Sequence, residues 1–353
     1  MKKYLMLCGA CSALAVSGQD SLYRLKMKLT GQKGNLESVA YSPDGKWLAG
    51  CGKDKNLYIY RADTPGIGNV VRVLNGHMSA VNHVAFSRDG KFVATASKDF
   101  TCRVYDAQTG ALLLSPNDHK DNVTRVSFDP KSKYLLSASE DGTIRMYDLI
   151  TPANNVKPKF LKYSGPVYGF AAAIDGKSYY IASNQATIDN IDFKGTSVRK
   201  LAGHTGQVLC VALSPDGKKL ASGGADKTVI IWDLATGKAI YTNKAHGWKV
   251  TSVNWSADGK YLVSTGNEGE TIVWDAESGK QLGKMKAMGN NARCAVFHPN
   301  NGMIAIATAM ETDNHGPLLY STPLTRMAAT KAPAKAPVAN AAPGKVATPA
   351  KPK

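Results

Sequence analysis

The sequence predicts an all-β fold assembled from seven copies of one four-stranded antiparallel unit, on three observations. His77, His119, His204 and His246 are separated by 42, 85 and 42 residues, and Tyr105, Tyr147, Trp232 and Trp274 repeat the same intervals. The 85-residue gap spans two periods, so a worn copy must lie inside it. Within each copy, short runs rich in Val, Ile, Tyr and Trp are separated by turn dipeptides such as Asp-Gly, the mark of antiparallel strands rather than helices.

The elements follow in order. Residues 1–18, MKKYLMLCGACSALAVSG, open with Lys2 and Lys3, run apolar from Tyr4 to Val16 and end in small residues. This is the anatomy of a secretory signal peptide, too short to span a membrane. Cleavage would follow Gly18 or Ala15. A lipid-attachment reading at Cys8 or Cys11 is the weaker one, because Leu7 and Cys8 stand where such a motif wants a small and an aliphatic residue. LYRLKMKLTG (22–31) is a strand preceding the first complete set. The copies then run from LESVAYSPDG (36–60) through GHMSAVNHVAF (76–106), DHKDNVTRVSF (118–148), the worn YSGPVYGFAAA (163–193), GHTGQVLCVAL (203–233), AHGWKVTSVNW (245–275) and ARCAVFHPNNG (292–320). After Pro323 alanine, proline and lysine dominate without aromatics or periodicity, which predicts a disordered basic tail over 323–353.

The formal charge is +17, of which two charges belong to Lys2 and Lys3 and six to basic residues from Arg326 onward, leaving +9 elsewhere. An exported basic chain meets anionic polymers, lipid head groups or acidic proteins more readily than nucleic acid. No later stretch is long and apolar enough to be a transmembrane segment. Cys51, Cys102, Cys210 and Cys294 fall on strands of different copies, which argues for free buried thiols over disulfides.

The period, the four runs per copy, and the GH, SPDG and WD signatures at Gly203-His204, Ser214 to Gly217 and Trp232-Asp233 resemble the WD-repeat β-propeller family over residues 20–322. The resemblance implies a seven-bladed β-propeller of four-stranded antiparallel blades, with the N-terminal strand completing the last blade and closing the ring. It also implies a structural network inside single blades: His204, Ser222, Asp226 and Trp232 in one, His77, Asp99 and Tyr105 in another, His119, Asp141 and Tyr147 in a third. His246, Glu268 and Trp274 form a variant with glutamate for aspartate. Gln32, Asp54 and Tyr60 are a partial set, and the fourth and seventh copies lack one. Pairing suits such groups, since a buried carboxylate or imidazole without a partner is costly.

No catalytic constellation accompanies these residues. Beyond the predicted signal, where Cys8 and Cys11 stand, HExxH, CxxC, EF-hand, GxSxG, Walker and dinucleotide-glycine patterns are absent, so neither cofactor nor metal is expected. The family instead binds partners on one face around the central channel. Carried over residue by residue, that protein-binding face comprises Glu37, Lys53, Asn82, Lys98, Phe100, Thr124, Glu140, Tyr168, Leu209, Lys249, Thr251 and Arg293, with Asn35, Asn122, Asn184, Gln207, Asn267, Asn291 and Trp248 nearby. Blade architecture is expected to make no demand on these side chains. The function expected is a non-catalytic protein-interaction scaffold, exported to the periplasm, the outer membrane or the exterior as part of a bacterial cell-envelope assembly. A propeller enzyme or small-ligand binder with its site at the channel is the first alternative. The second is nucleic-acid or anionic-polymer binding through the basic body and tail.

Overall fold

The computed structural model describes residues 23–63, 70–150, 158–192, 194–286, 291–309 and 316–323; the predicted signal and nearly all of the tail lie outside them. Twenty-eight strands form seven four-stranded antiparallel sheets. Blade one holds β2 (Leu36–Tyr41), β3 (Trp47–Gly52), β4 (Leu57–Arg61) and β5 (Val70–Leu74). Blade two holds β6 (Val81–Phe86), β7 (Phe92–Ser97), β8 (Cys102–Asp106) and β9 (Leu112–Leu114). Blades three to six repeat the order as β10 (Val123–Phe128) to β13 (Lys159–Lys162), β14 (Val167–Ala172) to β17 (Ser197–Ala202), β18 (Val208–Leu213) to β21 (Lys238–Asn243), and β22 (Val250–Trp255) to β25 (Gln281–Lys286).

Blade seven is made from both ends of the described chain. Its strands β26 (Asn291–Phe297), β27 (Ile304–Ala309) and β28 (Leu318–Ser321) are completed by β1 (Arg24–Lys28), with Arg24 opposite Ser321 and Lys28 opposite Leu318. The first strands β2, β6, β10, β14, β18, β22 and β26 touch one another in a closed cycle, so they line the centre and the fourth strands form the circumference. Closure leaves only the short fourth-strand edges to solvent.

The core is divided among the seven blade interfaces. Tyr180, Ile188 and Leu201 of blade four pack on Val208, Leu220, Ile230 and Trp232 of blade five. At the closing interface Leu29, Cys294, Ala305 and Leu319 pack on Leu36, Val39, Leu48 and Tyr60. Each second strand reads almost wholly buried because it sits mid-blade with a neighbour on both faces; Leu220 to Gly224 are an instance. The four cysteines outside the predicted signal are free and buried, and burial pushes the Cys210 thiol up to about 12. No helix among the described residues is long and apolar enough to cross a membrane.

Candidate functional site at the channel mouth

The locks that hold each blade come first, because they fix the turns on which the site stands. In blade five Trp232 Nε1–H donates to Ser222 Oγ at 2.8 Å, and the same oxygen lies 2.8 Å from His204 Nε2. His204 Nδ1 reaches Asp226 Oδ2 at 2.9 Å, and the backbone N–H of Thr205 donates to that oxygen at 2.8 Å. Burial lowers the imidazole pKa, with Asp226 opposing, which favours the neutral ring. The neighbours assign its tautomer: Nδ1–H donates to the carboxylate and Nε2 accepts the Ser222 hydroxyl proton.

Blades two and three place the same groups together. His77 bonds Asp99 at 2.9 Å and Thr95 at 2.7 Å, and His119 bonds Asp141 at 3.0 Å and Ser137 at 2.7 Å. Tyr105 and Tyr147 stand where the indole would be, but among the described residues their buried hydroxyls meet no hydrogen-bond partner, so these two locks end at the Thr or Ser. In blade six the longer Glu268 still reaches His246 at 2.7 Å, and Trp274 closes the chain onto Ser264. Blade four carries a lock that sequence comparison misses: Tyr163 occupies the histidine column and its hydroxyl donates to Asp189 at 2.6 Å, a residue outside the aspartate column. In blade one Gln32 is buried and its amide atoms meet no partner among the described residues, while Lys33 N–H donates to Asp54.

In blades two, three, five and six these locks pin two turns on one rim. The residue before the turn acid donates its N–H to the residue leading into the first strand: Lys53 to Asn35, Lys98 to Ala80, Glu140 to Asn122, Ala225 to Gln207 and Asn267 to Lys249. The face positions thus sit side by side in pairs. Pairing of the first and second strands then slips by one residue at the same place in every blade, skipping Glu37, Asn82, Thr124, Tyr168, Leu209, Thr251 and Arg293. A bulge re-aims the extra side chain. Here the seven skipped residues, with Lys249, His83 and Arg125 among others, line a cavity of about 210 Å³ at the channel mouth.

Three skipped residues also join blades through side chain-to-backbone bonds, a duty that the sequence does not reveal. Asn82 donates to Val123 O at 2.9 Å, Thr124 to Val167 O at 2.7 Å and Thr251 to Ala292 O at 2.8 Å, each reaching the next blade. The expectation that architecture makes no demand on these side chains therefore fails for them. Glu37 and Arg293 form an ion pair of 3.5 Å across the closing interface, and Asn122 Nδ2 donates to Glu140 Oε2 at 2.8 Å. The side chains of Lys53, Lys98, Phe100, Lys249 and Trp248 project to solvent.

Two histidines unplaced by the repeat acquire surroundings. His83 faces the channel and accepts a hydrogen bond from Arg125 Nη1 at 3.2 Å; burial first, then the guanidinium charge, holds its pKa well below the usual value. His298 bonds Gly45 O at 3.1 Å on the opposite rim, helping to close blade seven on blade one, while His315 lies outside the described residues.

Phe100 and Met78 add a feature of another kind. Phe100 sits in the second-to-third-strand turn at φ +69°, a position that Lys55 and Lys227 occupy at φ +69° and +70° in blades one and five and that Gly142 and Gly269 occupy in blades three and six, so the left-handed backbone belongs to the turn. A bulky side chain rarely adopts that region. Its ring is nonetheless 43% exposed, and Met78, whose N–H binds the adjacent Asp99, is 79% exposed. Trp248, at 64%, stands on the same rim in blade six. Sequence comparison missed Met78, whose only signal is an apolar side chain following a Gly-His pair.

The one group able to hold a metal among the described residues is His246, Glu268 and Glu270, whose ligand atoms lie within 4.8 Å of one another. His246 already binds Glu268, and Lys284 Nζ holds Glu270 at 2.7 Å, so each member of the cluster already has a partner.

Comparison with known proteins agrees with this geometry. The family model "WD domain, G-beta repeat" matches residues 23–61, 68–106, 110–148, 195–233 and 237–275, more than half of the chain. The chain is similar to "Small ribosomal subunit protein RACK1z" of Arabidopsis thaliana, 59% identical over 46 residues, which are 13% of this chain and 14% of the relative. It is also similar to "Intraflagellar transport protein 122 homolog" of Xenopus tropicalis, 39% identical over 71 residues, 20% of this chain and 6% of that one. A third relative, "Notchless protein homolog" of Arabidopsis thaliana, is 57% identical over 44 residues, 12% of this chain and 9% of the relative. The matched stretches therefore span a small part of each relative's length, about one repeat in the first and third. On the five matched repeats and the seven-bladed ring they belong to, the chain is a member of the WD-repeat family.

Proposed function

We propose that this chain is a non-catalytic scaffold that binds protein partners on the rim surrounding the channel mouth. It would work after export, in a bacterial cell-envelope assembly. The observation that carries the reading is Phe100: an aromatic side chain exposed beside Met78 and Lys98. Exposed aromatic and Met side chains among cations are the composition of protein interfaces. Relatives named for a ribosomal subunit and for intraflagellar transport are in keeping with work inside large assemblies. Export rests on residues 1–18, and the basic tail would tether the ring to anionic polymers or head groups.

A photo-crosslinking residue at position 100 or 248, expressed in cells with controls at outer-strand positions 198 and 240, tests the reading. Adducts to the same protein from 100 and 248, but not from 198 or 240, are expected. No protein adduct from the rim positions would refute it.

A second reading has its own observation. The mouth cavity of about 210 Å³ gathers Arg125, Arg293 and Lys249 against the single carboxylate of Glu37, a balance that suits a small anion. Native mass spectrometry of the intact protein would show a bound small molecule, lost on Arg125→Met.

A further inference from the structure

We infer that the circumference of the ring is a second binding surface, for a flexible linear polyanion bearing repeated phosphate or sulfate groups. The seven fourth strands read RLKMK, VVRVL, LLL, KFLK, SVRKLA, KAIYTN and QLGKMK. They hold eleven Lys and Arg and no Asp or Glu. Eleven exceeds the +9 carried by the chain between predicted signal and tail, so everything else in that stretch nets −2. The basicity of the propeller is thus a property of its outer belt.

Edge protection accounts for charge on these strands, but not for the exclusion of every acid from them. A blade edge is guarded against pairing with another chain by any charged side chain, although Lys is favoured. The acids that belong to the outer part of the blades stand one strand further in: Asp189 pairs with Lys200 at 3.7 Å and Glu270 with Lys284 at 2.7 Å. Lys26, Lys28, Lys159, Lys162, Lys238 and Lys286 are exposed and meet no carboxylate among the described residues. A belt of one sign attracts anions over a Debye length of about 8 Å at physiological salt.

The shape of the belt selects the partner. Six of the seven fourth strands carry a cation, so the charge runs nearly round the ring, and β9 alone lacks one. A flat bilayer would meet one arc of such a circumference at a time. The exposed apolar side chains of the fourth strands, among them Leu25, Val73, Leu112, Phe160, Val198 and Ile240, are spread over six blades, which no single plane gathers. A flexible chain can follow the curve and neutralise cations on successive blades, releasing a counterion at each.

The test uses the full chain and long-chain inorganic polyphosphate as probe, with affinity measured against salt. The variant K26Q/K28Q/K159Q/K162Q should bind at least about tenfold more weakly at low salt and show a shallower salt dependence, roughly one unit of slope for each phosphate no longer neutralised. The matched Lys→Arg variant should bind as the native protein does. A full chain with all six tail cations from Arg326 onward changed to Gln should keep most of the affinity. Size exclusion and circular dichroism establish that each variant is folded and monomeric; should the quadruple variant associate, the pairs K26Q/K28Q and K159Q/K162Q are compared separately. Unchanged affinity in the folded Gln variants would overturn the inference and leave edge protection as the whole role of these lysines. So would binding abolished only with the tail cations, or binding to phosphatidylglycerol vesicles without binding to polyphosphate.

Discussion

His204 and Trp232 meet on one oxygen: each places a ring nitrogen 2.8 Å from Ser222 Oγ, one as acceptor and the other as donor. The hydroxyl lies between the first turn and the third strand of blade five. It passes the hydrogen-bond chain from the indole, buried at the blade interface, to Asp226 at the rim. Ser222→Ala leaves both nitrogens buried and unpaired, at about 1–3 kcal/mol for each group. We expect a loss of about 2–5 kcal/mol by urea denaturation. Thr95→Val in blade two strands only His77, because Tyr105 makes no bond there, and should cost roughly half as much.

Phe100→Gly should separate stability from function. Relief of the left-handed backbone is worth about 1–2 kcal/mol, partly offset by about 0.5–1 kcal/mol for the freer unfolded glycine. The melting temperature should stay level or rise while partner binding falls. A marked drop in thermal stability would mean that the ring is held for packing instead.

Ring closure is directly measurable. Deleting residues 23–31 removes β1 and the buried Leu29 and exposes the length of β28, including Leu318 and Leu319. We expect a lower melting temperature and concentration-dependent association in sedimentation velocity, because an unpaired apolar edge recruits other chains.

Stability should fall with acidity in two stages. His83, His119, His204 and His298 have lowered pKa values, chiefly from burial. The unfolded chain therefore takes up protons that the folded one refuses, and stability present above about pH 6.5 is lost as pH drops below it. For Asp141 burial opposes ionisation, but bonds from Thr143, Lys120 and His119 outweigh it and set the carboxyl at about 2. Asp99 is lowered in the same manner. That contribution is whole above about pH 4 and disappears as pH falls through 2. Melting temperatures from pH 8 to 2 should trace both steps, and Asp141→Asn should flatten the lower one.

The period of 42 residues made the ring legible, since each repeat is one blade and each signature fixes one turn. What the repeat hid are the relations between blades. Asn82, Thr124 and Thr251 look like free surface in an alignment of repeats, yet each bonds the following blade. The Tyr163–Asp189 lock escaped notice because the acid moved from the turn to a strand, out of its column. Phe100 was legible as a candidate but its backbone was not: only the folded turn reveals φ +69°. The acid-free belt was hidden because fourth strands carry no signature and are recognised by pairing alone.

The rim as a partner-binding surface is tested most directly by quantitative affinity capture from envelope fractions. The native chain is compared with the triple variant M78A/F100G/W248A and with a control altered on the opposite rim, Lys46→Ala with Lys91→Ala. The account predicts a defined set of proteins recovered equally by native and control, and reduced at least about tenfold with the rim variant, as expected when interface anchors worth about 2 kcal/mol or more are removed. Equal recovery of that set by all three would contradict it.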